Sequence, residues 1–201
     1  MSSPSLLQLP PGLVDMRERL FSLKDPVVFG THEDYKRYWS FVDNFWTRSR
    51  REWVGNVLVE HYRCLLHSTQ ERTSVPAENR KRQRSVRTPI GCKISLRKDF
   101  YPDGRVKIRR CSESKAHCHD LQELDLKKVN SALRAIVCGE VRKGYTVQEI
   151  HGVLQRHYAK DLLLAGGAKA DRKYIHNVSR QVQKQSGPGS QGCSTATSPT
   201  G

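Results

Sequence analysis

Two cysteines and two histidines in the middle of the chain place the strongest constraint on its fold. They occur in the order Cys64, Cys92, His117 and His119, and the last three bracket a segment with the pattern of a β-hairpin. Thiolate sulfur and imidazole nitrogen are the usual donors of tetrahedral zinc sites. An ion held by all four side chains ties a strand, a hairpin and the segment after it together. The spacing therefore predicts a structural zinc ion within a small β-sheet.

Local geometry supports this prediction. Side chains two residues apart on an extended backbone point to the same side, so His117 and His119 can reach one ion while Cys118 points away. Two other residues could occupy one of the four ligand positions instead, namely Cys111 or His67. The competing interpretation is a set of buried thiols beside unrelated surface imidazoles.

The remaining cysteines do not indicate a disulfide framework. The chain has six cysteines and no predicted signal peptide, which favours a reducing compartment with thiols as ligands or core residues. Cys138 is predicted to be a core helix thiol and Cys193 a thiol in the tail.

Alternation of apolar and polar residues predicts the strands. Residues 93–97 and 105–109 alternate around the turn sequence of residues 101–104, and residues 53–59 form a second hairpin broken by Gly55-Asn56. Period-2 alternation leaves the other face of the 93–109 hairpin strongly basic. The residues predicted to face inward are Ile94, Leu96, Val106 and Ile108.

An aromatic helix is predicted upstream of the sheet. Thr31 and Asp34 have the spacing of a helix N-terminus. The large residues behind them could stack on nucleic-acid bases, but packing of the helix against a sheet is the favoured interpretation. These residues are Tyr35, Tyr38, Trp39, Val42, Phe45 and Trp46.

The last third is predicted to be helical. A first helix presents an apolar face and ends at Gly144, a second opens at Thr146 with Glu149 in a capping box, and a third begins near Asp171. The apolar face of the first helix comprises Leu126, Val129, Leu133, Ile136 and Val137. The third helix could act as the recognition element of a helix-turn-helix, or the module could serve packing or dimerisation. Its candidate contact residues are Arg172, Lys173, His176 and Arg180.

The predicted fold is therefore α+β: a small zinc-stapled antiparallel sheet with an N-terminal helix, followed by an α-helical module. We expect a flexible N-terminal segment at 1–28 and a zinc-binding domain at 29–122 with a basic loop at 67–90. The helical module spans 123–185, and a disordered tail covers 186–201.

Charge points to a polyanionic partner. The 35 Lys and Arg residues against 20 Asp and Glu residues give a formal net charge of +15, and the sequence pI is about 9.8. Nucleic acid is the commonest partner for such a surface, with a membrane surface as the rival. No apolar run approaches the roughly 20 residues that span a bilayer, so no membrane segment is predicted.

A second basic feature lies in the predicted loop. It can be read as a nuclear import signal, as a disordered arm that touches DNA, or as a solvated loop, and the first two are compatible. Its cations are Arg80, Lys81, Arg82, Arg84 and Arg87.

The order of these features resembles the WRKY and glial-cells-missing zinc superfamily over about residues 29–122. A helix and strand lead to Tyr62-Arg63-Cys64, and then come a basic loop, Gly91-Cys92, a hairpin and the sequence of residues 117–121. The far-red-impaired-response and FLYWCH-type domains of Mutator-like transposases are the most similar members, with a comparable Glu-His-Asn-His-x-Leu ending. The interval between the two cysteines is longer here, and no Trp-Arg-Lys-Tyr sequence is present.

The resemblance implies a DNA-binding sheet and nuclear localisation. In that superfamily a strand edge enters the major groove, which implies base contacts for Arg48, Arg50 and Arg51. Phosphate contacts are implied for the basic face of the hairpin. The residues concerned are Lys93, Arg97, Arg105, Lys107 and Arg109.

The function predicted from sequence is a transposase-derived transcription regulator that binds double-stranded DNA, with a homodimer or protein partner at the helical module. No nucleophile with a base, paired carboxylates or phosphate loop is recognisable, so neither an enzyme nor a small-molecule substrate is predicted. The alternative is a zinc-stapled protein-interaction adaptor that binds RNA or chromatin without sequence preference.

Overall fold

An antiparallel sheet forms where the sequence alternates. The computed structural model describes residues 8–67, 90–112 and 114–185, and its five-stranded sheet has the order β1-β5-β4-β3-β2. The predicted α+β class is confirmed. The strands are β1 (Val27–Phe29), β2 (Trp46–Val54), β3 (Val57–Cys64), β4 (Ser95–Phe100) and β5 (Val106–Arg110).

Both predicted hairpins are confirmed. Val54 pairs with Val57 across Gly55-Asn56, and Gly55 has a φ of 61°, which only glycine adopts without strain. Phe100 pairs with Val106 across the second turn. β4 begins and ends later than predicted, because pairing with β3 continues through Phe100.

The predicted inner face of the sheet is the core of this half of the protein. Ile94, Leu96, Val106 and Ile108 are all fully buried, in agreement with the alternation. Two helices cover this face, namely α1 (Leu13–Ser22) and α2 (His32–Trp39).

Residues 1–28 were expected to be flexible, but the described part of this segment forms a helix and the start of a strand. α1 buries Leu20 and Phe21 against the sheet, and β1 pairs with β5, with Val27 opposite Ile108. Burial of a Leu or Phe side chain contributes about 1.5–3 kcal/mol. These contacts order the segment, and α1 belongs to the domain predicted to start at residue 29.

The large residues predicted to lie on one aromatic helix, from Tyr35 to Trp46, are divided among three elements. Thr31 caps α2 by accepting from the Asp34 amide, as predicted, but the helix ends at Trp39. A 3₁₀ turn covers Asp43–Phe45, and Trp46 begins β2. All of these large residues except the half-buried Tyr38 are buried in the sheet core, so the packing interpretation is confirmed over base stacking.

The helices from residue 131 onward build a second apolar core. The first of them starts at Ser131 with Asn130 as its cap, so the predicted apolar position Leu126 lies before it and is exposed. The predicted capping box at Thr146 is confirmed, and a further short helix that was not predicted covers Ala159–Leu164. The helices are α3 (Leu121–Asp125), α4 (Ser131–Arg142), α5 (Val147–His157), α6 (Ala159–Leu164) and α7 (Arg172–Gln185). None of the helices among the described residues is long and apolar enough to cross a membrane.

A buried ion pair joins the two halves. Arg17 of α1 donates to both carboxylate oxygens of Asp125 at 2.7 Å and to the carbonyl oxygen of Leu164 at 2.6 Å. Asn44 donates to the same carboxylate at 3.3 Å and to the Lys128 carbonyl oxygen at 2.9 Å. The 3₁₀ turn before β2, α1 and the helical module therefore meet at one polar joint.

Lys98 is an unexpected member of the sheet core. It follows Ile94 and Leu96 on the inner face and is fully buried. Its Nζ lies 3.1 Å from the centre of the Trp39 ring and 4.0 Å from that of Tyr62, and it donates to the Tyr35 hydroxyl at 2.8 Å. Desolvation by burial lowers the pKa of Lys98 well below its ordinary value, and the charge of Glu60 offsets this only in part.

This burial predicts a pH-dependent stability. A depressed pKa in the folded state means that the unfolded chain holds the additional proton, so stability rises with pH up to the ordinary lysine value of about 10.4. Relative to a Lys98→Met variant, the free energy of unfolding is expected to rise by up to about 1.4 kcal/mol per pH unit above neutrality. Urea unfolding of both proteins from about pH 7 to 10 measures this difference. A flat difference would show that the aromatic rings keep the ammonium charged, against the expectation.

Candidate metal centre

Four side chains converge where β3 ends and β4 is about to begin. The donor atoms of Cys64, Cys92, His117 and His119 all lie within 4.8 Å of one another. Cys64 Sγ is 3.2 Å from His119 Nε2, and Cys92 Sγ is 3.4 Å from His117 Nδ1. The two histidine nitrogens are 3.0 Å apart. The predicted constellation therefore exists as a Cys2His2 cluster that could hold a metal ion.

Backbone hydrogen bonds bring the two cysteines together. The Cys64 amide donates to the Ile94 carbonyl oxygen at 3.3 Å, and the Cys92 amide donates to that of Leu66 at 3.0 Å. The Leu66 amide also donates to Cys64 Sγ at 3.3 Å. A donor at this sulfur stabilises a thiolate.

The geometry fits zinc. With Zn–S bonds of about 2.3 Å and Zn–N bonds of about 2.0 Å, a tetrahedral ion separates its ligand atoms by about 3.3–3.8 Å. The closest pairs of donors, at 3.0, 3.2 and 3.4 Å, need only small outward shifts to reach such a shell. Two thiolates and two imidazoles fill all four positions of a tetrahedral zinc ion, which is typical of a structural site rather than a catalytic one.

Burial sets the protonation of the ligands. Desolvation by burial raises the pKa of the Cys64 thiol, with a further contribution from Cys92. Desolvation by burial and the neighbouring His119 lower the pKa of His117 to about 3, so this imidazole stays neutral as a metal ligand must. A divalent cation favours thiolate over thiol, and in this apolar pocket it supplies the charge that the cysteines need.

Aromatic side chains hold the histidines in place. The Phe21 ring stacks on His117 at a centroid distance of 4.0 Å and an angle of 4°, and Trp46 flanks the same ring at 5.4 Å. His119 Nδ1 lies 3.0 Å from the Asp120 carbonyl oxygen. Because a carbonyl only accepts, Nδ1 carries the proton and Nε2 is left for the metal. The sequence analysis did not single out Phe21, which lies in the N-terminal segment expected to be flexible.

The alternative ligands lie outside the cluster. His67 is engaged with the Cys92 carbonyl oxygen at 2.9 Å through Nδ1. Cys111 is bonded through its backbone to Ser95 and is not among the grouped donors. Cys118 is exposed. Among the described residues, the four predicted ligands are the ones that come together.

The three arginines predicted to read bases lie on β2, which is an edge strand. A register shift between Arg48 and Arg50 places them on opposite faces. Arg48 and Arg51 turn to the inner face, where Glu60 lies 3.0 Å and 3.8 Å from them, while Arg50 pairs with Glu52 on the outer face. The arginines therefore line one edge without forming a single surface.

The five hairpin cations predicted to meet phosphates also divide. Arg97 and Arg109 flank the buried Asp99, at 2.5 Å and 3.6 Å, and Arg105 pairs with Asp103 in the turn at 2.6 Å. Lys107 shares the outer face, and Lys93 is exposed just before β4. The face is basic, but much of its charge is neutralised within the sheet.

Some predictions fall outside the described residues. These are the tail at 186–201 and the cations of the basic loop, Arg80, Lys81, Arg82, Arg84 and Arg87.

Comparison of the chain with models of known protein families, with curated proteins and with solved structures found no match. The geometry of the Cys2His2 cluster and the charge of the sheet beside it are therefore the observations that bear on function.

Proposed function

We propose that the protein binds double-stranded DNA through a zinc-held sheet and acts in the nucleus as a transposase-derived transcription regulator. The observation that carries the proposal is the combination of a Cys2His2 cluster with a basic outer face on the same sheet. That face carries two carboxylates, Glu52 and Asp99, and the more numerous cations Arg50, Arg63, Arg97, Lys107 and Arg109. Such an excess attracts a phosphate backbone.

The edge position of β2 supports a docking geometry. A two-stranded ribbon fits the major groove of B-DNA, and the β2–β3 hairpin projects its exposed Trp53 and Val54 at the tip. Arg50, on the outer face of this ribbon, can present its guanidinium fork to guanine, as the resemblance to the WRKY and glial-cells-missing superfamily implies. The outer face of the sheet, with its excess of cations, then lies toward the DNA backbone.

Zinc has a structural role in this proposal. When bound, the ion neutralises two thiolates and fixes the end of β3 against the start of β4. The chain itself supplies every nucleic-acid contact. We assign nuclear import to the basic segment around Arg82 and Arg84.

A second candidate is the protein-interaction adaptor, and one observation favours it. Leu126 and Leu163 of the helical module are 56% and 62% exposed, and covering them would remove apolar surface from water. A protein partner or a second copy of the chain would cover them. The two candidates differ in whether the protein selects a DNA sequence.

Selection of duplexes from a random pool by the zinc-loaded full chain tests the proposal. We expect an enriched motif whose enrichment is lost with Arg50→Ala, because the guanidinium is the proposed base contact and a good bidentate pair contributes about 1–3 kcal/mol of discrimination. Arg142→Ala removes an exposed arginine from α4 and serves as the matched control, with no expected effect. Duplex binding without enrichment would favour the adaptor, and no duplex binding would overturn the proposal.

A further inference from the structure

A basic pocket of about 450 Å³ opens on the outer face of the sheet, beside the metal centre. It lies where β3 ends, β4 begins and the chain leaves β5. The described residues that line it include no carboxylate, and Glu113 lies outside the described residues. The lining residues used below are Arg63, His67, Lys93, Ser114 and Lys115.

The cations of this pocket differ from the arginines elsewhere on the face. Arg50, Arg97 and Arg109 are each engaged by a carboxylate. The side chains of Arg63, Lys93 and Lys115 form no ion pair or hydrogen bond with any described residue. Unpaired cations that converge on a concave surface raise the local potential more than paired ones, because the low-dielectric walls focus the field.

The remaining polar groups of the pocket are held in place. His67 donates Nδ1–H to the Cys92 carbonyl oxygen, which leaves its Nε2 free of described partners. Ser114 Oγ donates to the Cys111 carbonyl oxygen at 2.8 Å, and the Cys111 amide donates to that of Ser95 at 3.0 Å. These bonds fasten the turn after β5 to β4, so the pocket has a defined shape.

The metal ligands position the pocket cations. Arg63 directly precedes Cys64, Lys93 directly follows Cys92, and Lys115 lies two residues before His117. These three backbone segments are separate in sequence, and they meet beside the ligand cluster, where strand pairing and backbone hydrogen bonds also join them. An ion bound by the cluster would tie all three segments to one point and so would fix the pocket cations more firmly.

We propose that this pocket is the main phosphate anchor of the protein and binds a backbone phosphate of duplex DNA. The inference rests on the proposed function and deepens it. It assigns phosphate binding to Arg63, Lys93 and Lys115 rather than to the paired arginines of the hairpin, and it makes DNA affinity depend on the metal through these residues.

The test compares two double variants of the zinc-loaded full chain that remove equal charge from the same face. Arg63→Gln with Lys115→Gln empties the pocket of two cations, and Arg105→Gln with Arg109→Gln removes two paired ones while Asp99 keeps its partner Arg97. Duplex affinity is measured across a series of salt concentrations. We expect the pocket variant to bind about tenfold more weakly, with a salt slope about one unit smaller, and the paired variant to change by less than about threefold.

A second measurement uses inorganic phosphate alone and follows the amide resonances of the turn around Ser114 and the ring of His67. We expect them to shift in the unmodified protein and not in the pocket variant. Equal loss of duplex affinity in both variants, or unmoved resonances, overturns the inference while leaving DNA binding intact. If the unmodified protein binds no duplex, the proposed function fails and the assignment to DNA fails with it, even where phosphate still shifts the pocket.

Discussion

Replacing Cys92 by serine is expected to abolish zinc binding and to unfold the sheet. Structural zinc contributes an apparent binding free energy of about 10–16 kcal/mol in zinc-finger peptides, and the whole stability of an ordinary domain is only about 5–15 kcal/mol. A serine hydroxyl does not ionise near neutrality and cannot replace the thiolate. Without the ion, the buried Cys64 thiol and the packed imidazoles have nothing to bind.

The measurement is the dispersion of backbone amide resonances of the sheet, together with zinc content by mass spectrometry. Cys111→Ser is the matched control, because it removes a nearby thiol that lies outside the cluster, whereas the Cys118 thiol contacts that of Cys92. The control is expected to bind one zinc ion and to keep the dispersed spectrum. A Cys92→Ser protein with unchanged dispersion and stability would show that the sheet does not depend on the metal.

Replacing Arg17 by methionine is expected to cost about 3–5 kcal/mol of unfolding free energy. The change leaves the Asp125 carboxylate buried with only the longer hydrogen bond from Asn44, and the side chains of Arg17 and Asp125 are 4% and 6% exposed. Burial already raises the pKa of Asp125, despite the opposing effect of Arg17. The attraction between the two charges therefore offsets their desolvation only in part. Removing one partner is expected to cost more stability than replacing both partners by apolar residues.

A double-mutant cycle measured by urea unfolding distinguishes these effects. Asp125→Leu in the Arg17→Met background removes the stranded charge and is expected to recover most of the lost stability. If Arg17→Met alone stays within about 0.5 kcal/mol of the unmodified protein, the joint between the two halves contributes nothing to folding.

Local patterns were sufficient to predict both hairpins and the helix caps at Thr31 and Thr146. Ile94, Leu96, Val106 and Ile108 are buried as their alternation indicates, and Gly55-Asn56 forms the expected turn. Hairpins and capping boxes depend on residues a few positions apart, so a short window contains their physics.

Features that depend on distant partners could not be predicted in this way. Arg17 and Asp125 are 108 residues apart, and nothing in the sequence near Arg17 reveals its partner. Lys98 falls on the inner face by parity, but its cage of Tyr35, Trp39 and Tyr62 comes from two other elements. Inner-face positions of a strand are expected to be apolar, so the sequence alone gives no reason to expect a buried lysine there.

The metal centre shows the same division. Cys64, Cys92, His117 and His119 were identified from order and spacing, because metal chemistry restricts which residue types can serve. Phe21 stacks on His117, and Arg63 lines the basic pocket beside the centre. Phenylalanine is common in any core and arginine on any surface, so their residue types alone do not reveal these positions. Only the folded arrangement gives them a role.

X-ray absorption at the zinc edge, on protein purified without added metal, shows whether the four side chains hold a zinc ion. We expect one zinc ion per chain in a shell of two sulfur atoms at about 2.3 Å and two nitrogen atoms at about 2.0 Å. The His119→Ala variant is expected to lose one of the nitrogen contributions, or the ion altogether. A folded protein that carries no metal, or a shell with any other number of sulfur atoms, would show that Cys64, Cys92, His117 and His119 are not a zinc site.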